Sequence, residues 1–263
     1  MAQYIKSLKN GMDALNLLAN EGPKTVNDIA KHLGVHRTSA HRLLATLASG
    51  NFVHRSSDNG LYHLGPQLIR LGHALITSSG VRKAVGPQLE WLATETREAA
   101  VLKVPYDRFW AVCLESAEGD HAVQTLAKPG RVTPLHVGGT GKAILAHLPA
   151  ETVDAMAQEG LLKPYTDKTL VEPAALKEQL EIIRLRGYSI SLGEIEEGAS
   201  AIGAPIFDVA GKVVAAISIA GPAHRLTAPD RQPGLIKAVL MAAERASEMI
   251  GFSFPDDSSP AVG

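Results

Sequence analysis

Apolar and polar positions follow two rhythms along the chain, and the change from one to the other comes at Ala99. Before it the rhythm is largely helical. Leu8, Met12, Leu15, Leu17 and Leu18 recur at helical spacing and Gly22-Pro23 closes the segment, which predicts a first helix. Thr25-Val26-Asn27-Asp28 has the form of a capping box, with Asp in place of the longer Glu. Ile29, Ala30 and Leu33 supply the buried face of the helix it opens, and Gly34 stops that helix. His36 to Ser49 begins polar and basic and continues through Leu43, Leu44 and Leu47, so it packs by one face and exposes Arg37, Thr38, Ser39, His41 and Arg42 on the other. A short helix, a glycine turn and a helix with a basic N-terminal half form a helix-turn-helix. Phe52-Val53-His54-Arg55 and Leu61-Tyr62-His63-Leu64, around Asp58-Asn59-Gly60, read as a hairpin, the wing.

Gly65-Pro66 starts a connecting helix that carries Leu68, Ile69, Leu71, Leu75 and Ile76. Gly86-Pro87 punctuates the chain before another helix, Gln88 to Thr96, with Leu89, Trp91 and Leu92. From Ala99 onward short apolar runs predict strands at Val101 to Val104, Phe109 to Leu114, Ala122 to Leu126, Ala201 to Phe207 and Val213 to Ile219, the last two joined by a turn through Asp208 and Gly211. Helical patterns cover Thr140 to His147, Glu151 to Gln158, Leu176 to Arg186 and Asp230 to Ile250. Segregated strands and helices predict an α+β sheet sandwich and not a doubly wound fold. The expected division is a winged helix-turn-helix over 1–65, a linker helix over 66–83, a larger domain over 84–251, and a flexible tail over 252–263, rich in Ser, Pro and Asp.

Composition adds function to this outline. Of the 263 residues 45% are apolar and 20% charged, a globular balance that excludes extended disorder. No run approaches the roughly 20 apolar residues of a membrane helix, and the start lacks a signal-peptide layout, so the expected location is cytoplasmic with no membrane partner. The net charge of −1 hides an asymmetry. Residues 1–83 hold ten Lys or Arg against four Asp or Glu, a balance of +6, and six of the ten histidines; the remainder holds sixteen basic and twenty-three acidic groups, a balance of −7. Three short helices and a hairpin occur in many small domains, but a basic excess confined to them favours a polyanion, double-stranded DNA. His36, Arg37, Thr38, Ser39, His41, Arg42 and, on the wing, Arg55 are the candidate DNA contacts.

The chemistry of the second domain points away from catalysis. Gly138-Gly139-Thr140-Gly141-Lys142 looks like part of a phosphate loop, but His136 stands where that motif needs Gly and Ala143 where it needs Ser or Thr. Two roles stay open for the glycines: a helix start whose amides hold a small anion, or a tight turn that lets strand and helix pack closely. Glu194, Glu196 and Glu197 match no calcium loop and read as a solvated loop, and His121, His136, His147 and His224 are scattered without ligand spacing, as surface or hydrogen-bonded residues. Cys113 is the single cysteine and sits in an apolar run, as a buried, inert thiol. No catalytic set, metal site or cofactor is expected. Three functions remain in play: a ligand-responsive DNA-binding regulator, an enzyme whose N-terminal module only dimerises, and a ligand-free architectural DNA-binding protein.

A family resemblance favours the first. Ser7-Leu8-Lys9-Asn10-Gly11, the run Ile29 to Phe52 with His41 to Leu47, and Tyr62-His63-Leu64-Gly65 resemble the N-terminal domain of IclR-type transcriptional regulators. Pro134-Leu135-His136 leading to Gly141-Lys142-Ala143, then Arg186-Gly187-Tyr188, Glu194, Ala204-Pro205 and Ser218 to Pro222, resemble the same family's effector domain. The motifs lie in order from Tyr4 to Gly251. The resemblance implies a GAF-like effector domain, a homodimer or homotetramer on operator DNA, and control of a small-molecule catabolic operon. Carried over by position, the effector pocket would include Gly139, Thr140, Ser191, Ala201, Ser218 and Ala220. Ser191 stands where members that bind small keto acids can have an acid, Ala201 where they can have Cys, and Ala220 where they have Ser. That departure implies a less polar pocket, suited to a larger or aromatic acid or a related neutral compound.

Overall fold

The computed structural model describes residues 5–71, 80–120 and 128–251. The chain divides into two units, residues 1–78 and 79–263. In the first, helices α1 (Lys6–Glu21), α2 (Val26–Leu33) and α3 (Arg37–Ser49) precede the antiparallel strands β1 (Val53–Arg55) and β2 (Tyr62–Leu64). The capping box forms as its sequence predicts: Thr25 Oγ1 accepts from the Asp28 amide at 3.2 Å and Asp28 Oδ2 accepts from the Thr25 amide at 3.1 Å. The Thr25 hydroxyl and amide hold the Asp28 carboxyl below its ordinary pKa. Gly34 ends α2 in the left-handed conformation at φ 62°, which turns the chain toward α3. Ala14, Leu17, Leu18, Ile29, Leu44, Val53 and Tyr62 close the core beneath these elements. Lys24 exchanges two backbone hydrogen bonds with Tyr62, which ties the start of α2 to the wing.

Helical spacing in α1 does not bury every apolar residue. Ile5, Leu8 and Met12 are 70%, 61% and 50% exposed, a stripe outside the core of this unit. Residues 67–71 are helical, with Ile69 and Leu71 exposed; Leu75 and Ile76 of the expected linker lie outside the described residues.

In the second unit, α4 (Gly80–Thr96) leads into β3 (Ala99–Asp107), β4 (Trp110–Ala117) and β5 (Val132–Pro134). Next come α5 (Gly139–Leu145), α6 (Glu151–Gln158), α7 (Pro173–Arg186), β6 (Ser189–Leu192), β7 (Ala199–Phe207), β8 (Val213–Pro222), α8 (Ala223–Leu226) and α9 (Gln232–Ile250). One six-stranded sheet, in the order β5-β4-β3-β8-β7-β6, pairs every neighbour antiparallel. Strand alternation sends Ala100, Leu102, Ile202, Ala204, Ile217 and Ile219 to one face, where α4 and α9 cover them with Leu89, Leu92, Val239 and Ala242. The other face packs with α5, α6 and α7 through Ala143, Ile144, Met156, Leu176 and Ile183. This is the expected α+β class.

Two details differ from the sequence reading. Gly86-Pro87 does not divide the chain: Pro87 sits inside α4. Proline costs its helix one hydrogen bond but keeps a helical φ, and Val85, Leu89 and Leu92, all buried, anchor the turns around it. The short strands β5 and β6 form where no apolar run announces them, because sheet neighbours supply the pairing. The strand expected over Ala122 to Leu126 lies outside the described residues.

Candidate functional site

Two surfaces collect the residues that the sequence singles out. The first is the start of α3. His36 is its N-cap, and its Nδ1 accepts from the Thr38 amide at 3.4 Å and lies 2.9 Å from Thr38 Oγ1. From that cap Arg37, Thr38, Ser39, His41 and Arg42 all emerge exposed, while Ala40 and Leu44 are buried on the opposite side. Six of the seven candidate DNA contacts thus share one helix start. The seventh, Arg55, is exposed on β1, with Nε donating to Gly60 O at 3.1 Å, which braces it along the wing.

The second surface is a cavity of about 280 Å³ in the second unit, and all six candidate effector residues line it. The sheet register explains why. Ser191 faces Ala201 on β7, Ala201 faces Ala220 on β8, and one row further Ser218 lies between Gly203 and Val101. Each alternates with a residue of the α4–α9 core, so the same period of two that buries Ile202, Ile217 and Ile219 points Ala201, Ser218 and Ala220 the other way. Gly139 and Thr140 enter from the start of α5. A Cβ at Gly139 would meet the Ala201 Cβ at 3.1 Å, and a Cβ at Gly203 would meet Gly139 C at 2.7 Å. The glycines therefore serve close packing of helix on strand.

The cavity also holds residues that the sequence reading did not single out: Lys103, Arg131, Thr133 and the segment Glu194 to Gly198. Glu194 corrects the expectation of a solvated acidic loop. It is 6% exposed, with Oε1 on the Lys142 ammonium and Oε2 accepting from the Gly138 amide at 3.1 Å. Lys142, fully buried, also donates to Gln179 Oε1 at 2.9 Å and to Ile190 O at 3.1 Å. Burial pulls its pKa down and Glu194 opposes that pull. Glu196 and Glu197 are exposed, as expected.

Lys103 is 7% exposed and its Nζ donates to Thr133 Oγ1 at 2.8 Å. Burial lowers its pKa to about 8; Cys113, opposite it on β4, opposes the shift and Arg131 adds to it. The signal for it was a charged residue inside the apolar run Val101 to Val104. Cys113 is buried, and burial raises its pKa, in keeping with an inert thiol. His136 is buried with Nε2 at 3.1 Å from Lys163 O, and burial lowers its pKa. His147 packs edge-on to Phe207 at 4.9 Å, His224 is exposed, and His121 lies outside the described residues. Among the described residues no three His, Cys, Asp or Glu side chains gather as a metal site, and no helix is long and apolar enough to cross a membrane.

Comparison with known proteins bears on both surfaces. Residues 7–57 match the IclR helix-turn-helix domain, and residues 73–248 match the bacterial transcriptional regulator IclR C-terminal domain. The HTH-type transcriptional regulator BhcR of Paracoccus denitrificans is 35% identical over 92% of this chain and 86% of its own. The crystal structure of an IclR-type transcriptional regulator from Alicyclobacillus acidocaldarius superposes with a TM-score of 0.84 at 26% identity, covering 95% of this chain and all of the other. An IclR homologue from Microbacterium hydrocarbonoxydans, solved in complex with 4-hydroxybenzoate, superposes with a TM-score of 0.78 at 26% identity over 93% of this chain and 98% of its own.

Proposed function

This chain belongs to the IclR family of bacterial transcriptional regulators, and from that membership we propose a regulator that holds double-stranded operator DNA through residues 1–65 and a small organic acid in 84–251, with 66–83 as the connection. The observation that carries the DNA half is the start of α3, where Arg37, Thr38, Ser39, His41 and Arg42 leave a capped helix exposed. A helix presented this way enters a major groove by its N-terminal residues. Arg37 and Arg42 read base edges or clamp phosphates there, and Arg55 contacts the backbone from the wing. The protein works in the cytoplasm, and the second unit binds its effector without turnover.

The effector occupies the cavity of Gly139, Thr140, Ser191, Ala201, Ser218 and Ala220. Alanine at 201 and 220 leaves its floor weakly polar, which suits an aromatic acid of the kind that the Microbacterium homologue holds. Fluorescence anisotropy of the full chain on labelled promoter DNA from its own gene tests the proposal. Affinity should fall steeply with salt, because phosphate contacts release counterions. Arg37→Ala or Arg42→Ala should cost roughly 1–3 kcal/mol on the operator if the side chain reads a base. A loss equal on operator and random DNA identifies a phosphate clamp instead. Binding indifferent to salt and to both substitutions rejects this face as the DNA surface.

A further inference from the structure

Among the described residues, the buried charged side chains are Glu98, Lys103, Lys142 and Glu194. Three of them are satisfied within the chain. Glu98 receives Arg225 at 2.5 and 2.9 Å and Arg231 at 3.4 Å, and Glu194 receives Lys142 and the Gly138 amide. Both buried carboxylates are thereby committed to other cations. Lys103 is the remainder: its Nζ has the neutral Thr133 hydroxyl at 2.8 Å, and no carboxylate of the described residues stands within ion-pair distance. A buried ammonium is costly unless an anion faces it. Lys103 lies in the lining of the cavity, so the missing anion has a place to arrive from outside.

Taking the cavity as the effector site, as proposed above, we infer that its ligand is a monocarboxylate whose acid group pairs with Lys103 Nζ and Thr133 Oγ1, on the β3–β5 side, with its apolar body over Ala199, Ala201 and Ala220. The ammonium has two further protons to give, and the Thr133 hydroxyl keeps its own to donate, so the pair offers donors for both carboxylate oxygens. Arg131 belongs to the same lining and adds positive potential. Glu196 and Glu197, exposed acids of the lining, disfavour a second carboxylate on the ligand. The start of α5 is the lesser anchor, because its glycines are pressed against Ala201 and Gly203. Acid recognition then falls to side chains of the sheet, and the serines at 191 and 218 are left for any hydroxyl on the ligand body.

Isothermal titration of the full chain with acid and amide partners tests this: benzoate with benzamide, 4-hydroxybenzoate with 4-hydroxybenzamide, and butanoate with butanamide. At least one acid should bind ten-fold or more tighter than its amide, since charge-assisted hydrogen bonds give ten- to hundred-fold. Lys103→Met should reduce that preference to two-fold or less, and Thr133→Val should weaken the acid several-fold. Circular dichroism checks folding; if Lys103→Met does not fold, wild type and Thr133→Val decide. Acids that bind both variants as tightly as wild type, or binding in which no acid exceeds its amide, overturns the inference. Ala201→Phe, which fills the cavity, then tells whether the cavity is still the site: lost binding keeps the effector reading and discards only the role of Lys103. No binding by any of the six compounds overturns the inference together with the acid reading, and leaves the DNA surface untouched.

Discussion

Lys103 and Lys142 are both buried in the same unit, yet one is tied to Glu194 and the other only to a hydroxyl, and their substitutions should behave oppositely. Lys142→Ala strands the Glu194 carboxylate at 6% exposure and should destabilise the unit by about 3–5 kcal/mol in urea titration. The double substitution Lys142→Met with Glu194→Leu should recover much of that loss, since an apolar pair of similar volume replaces an ion pair at little cost. Lys103→Met removes a cation with no internal counter-charge and should be neutral or stabilising. The sign of the pH dependence follows from the same burial. Folded Lys103 loses its proton near 8, below the ordinary 10.5, so between those values the unfolded chain binds more protons and stability rises with pH. Cys113 works in the opposite sense, because its raised folded pKa keeps the thiol protonated where the unfolded chain has ionised above about 9. Denaturation of Cys113→Ala at pH 7.5, 9 and 10 should therefore show a rise that Lys103→Met in the same background abolishes; a flat profile in the parent would contradict the burial assigned to Lys103.

At the scale of elements, the contact of α5 with β7 is set by two glycines facing each other. Gly203→Ala drives a Cβ to 2.7 Å from Gly139 C and 2.8 Å from its carbonyl oxygen, both backbone atoms that cannot rotate aside. Overpacking of this kind costs roughly 1–3 kcal/mol, and it should also shift the floor of the cavity, so Gly203→Ala should lower both the melting temperature and effector affinity. Unchanged melting would mean that helix and strand are not in close contact. The glycine-rich start of α5 was legible as one of two roles, and the packing role is the one that the geometry carries. Elsewhere legibility followed local chemistry. The capping box, the Gly34 stop and the polar face of α3 each depend on residues within one turn, so spacing alone displayed them. Pro87 reads as a break because sequence shows its missing amide but not the buried Val85, Leu89 and Leu92 that hold α4 together. Cavity residues divide the same way: Gly139 to Ala220 came by family position, whereas Lys103 and Thr133 meet only through sheet register, 30 residues apart.

For the whole molecule, the exposed apolar stripe at the start of α1 is a feature that the described residues leave uncovered. Leu8 and Met12 of α1 and Ile5 at its N-cap are 61%, 50% and 70% exposed, and Ile69 and Leu71 of the same unit are 76% and 46% exposed. Large aliphatics gathered on one face mark a protein–protein surface more than ordinary solvent-facing positions do. A symmetric dimer covers such a face with its own copy, and two-fold symmetry in the protein asks for a pseudo-palindromic operator with half-sites about one helical turn apart or a multiple of it. Substituting Ile5, Leu8 and Met12 together by Ser leaves Ala14, Leu17 and Leu18 in the core, so the helix-turn-helix should still fold. Light scattering should then show a smaller assembly than wild type at micromolar concentration. Operator affinity should fall far more than affinity for a single half-site, because only the full site uses two linked binding units. A triple variant that keeps wild-type mass and full operator affinity would show that the stripe serves no self-association.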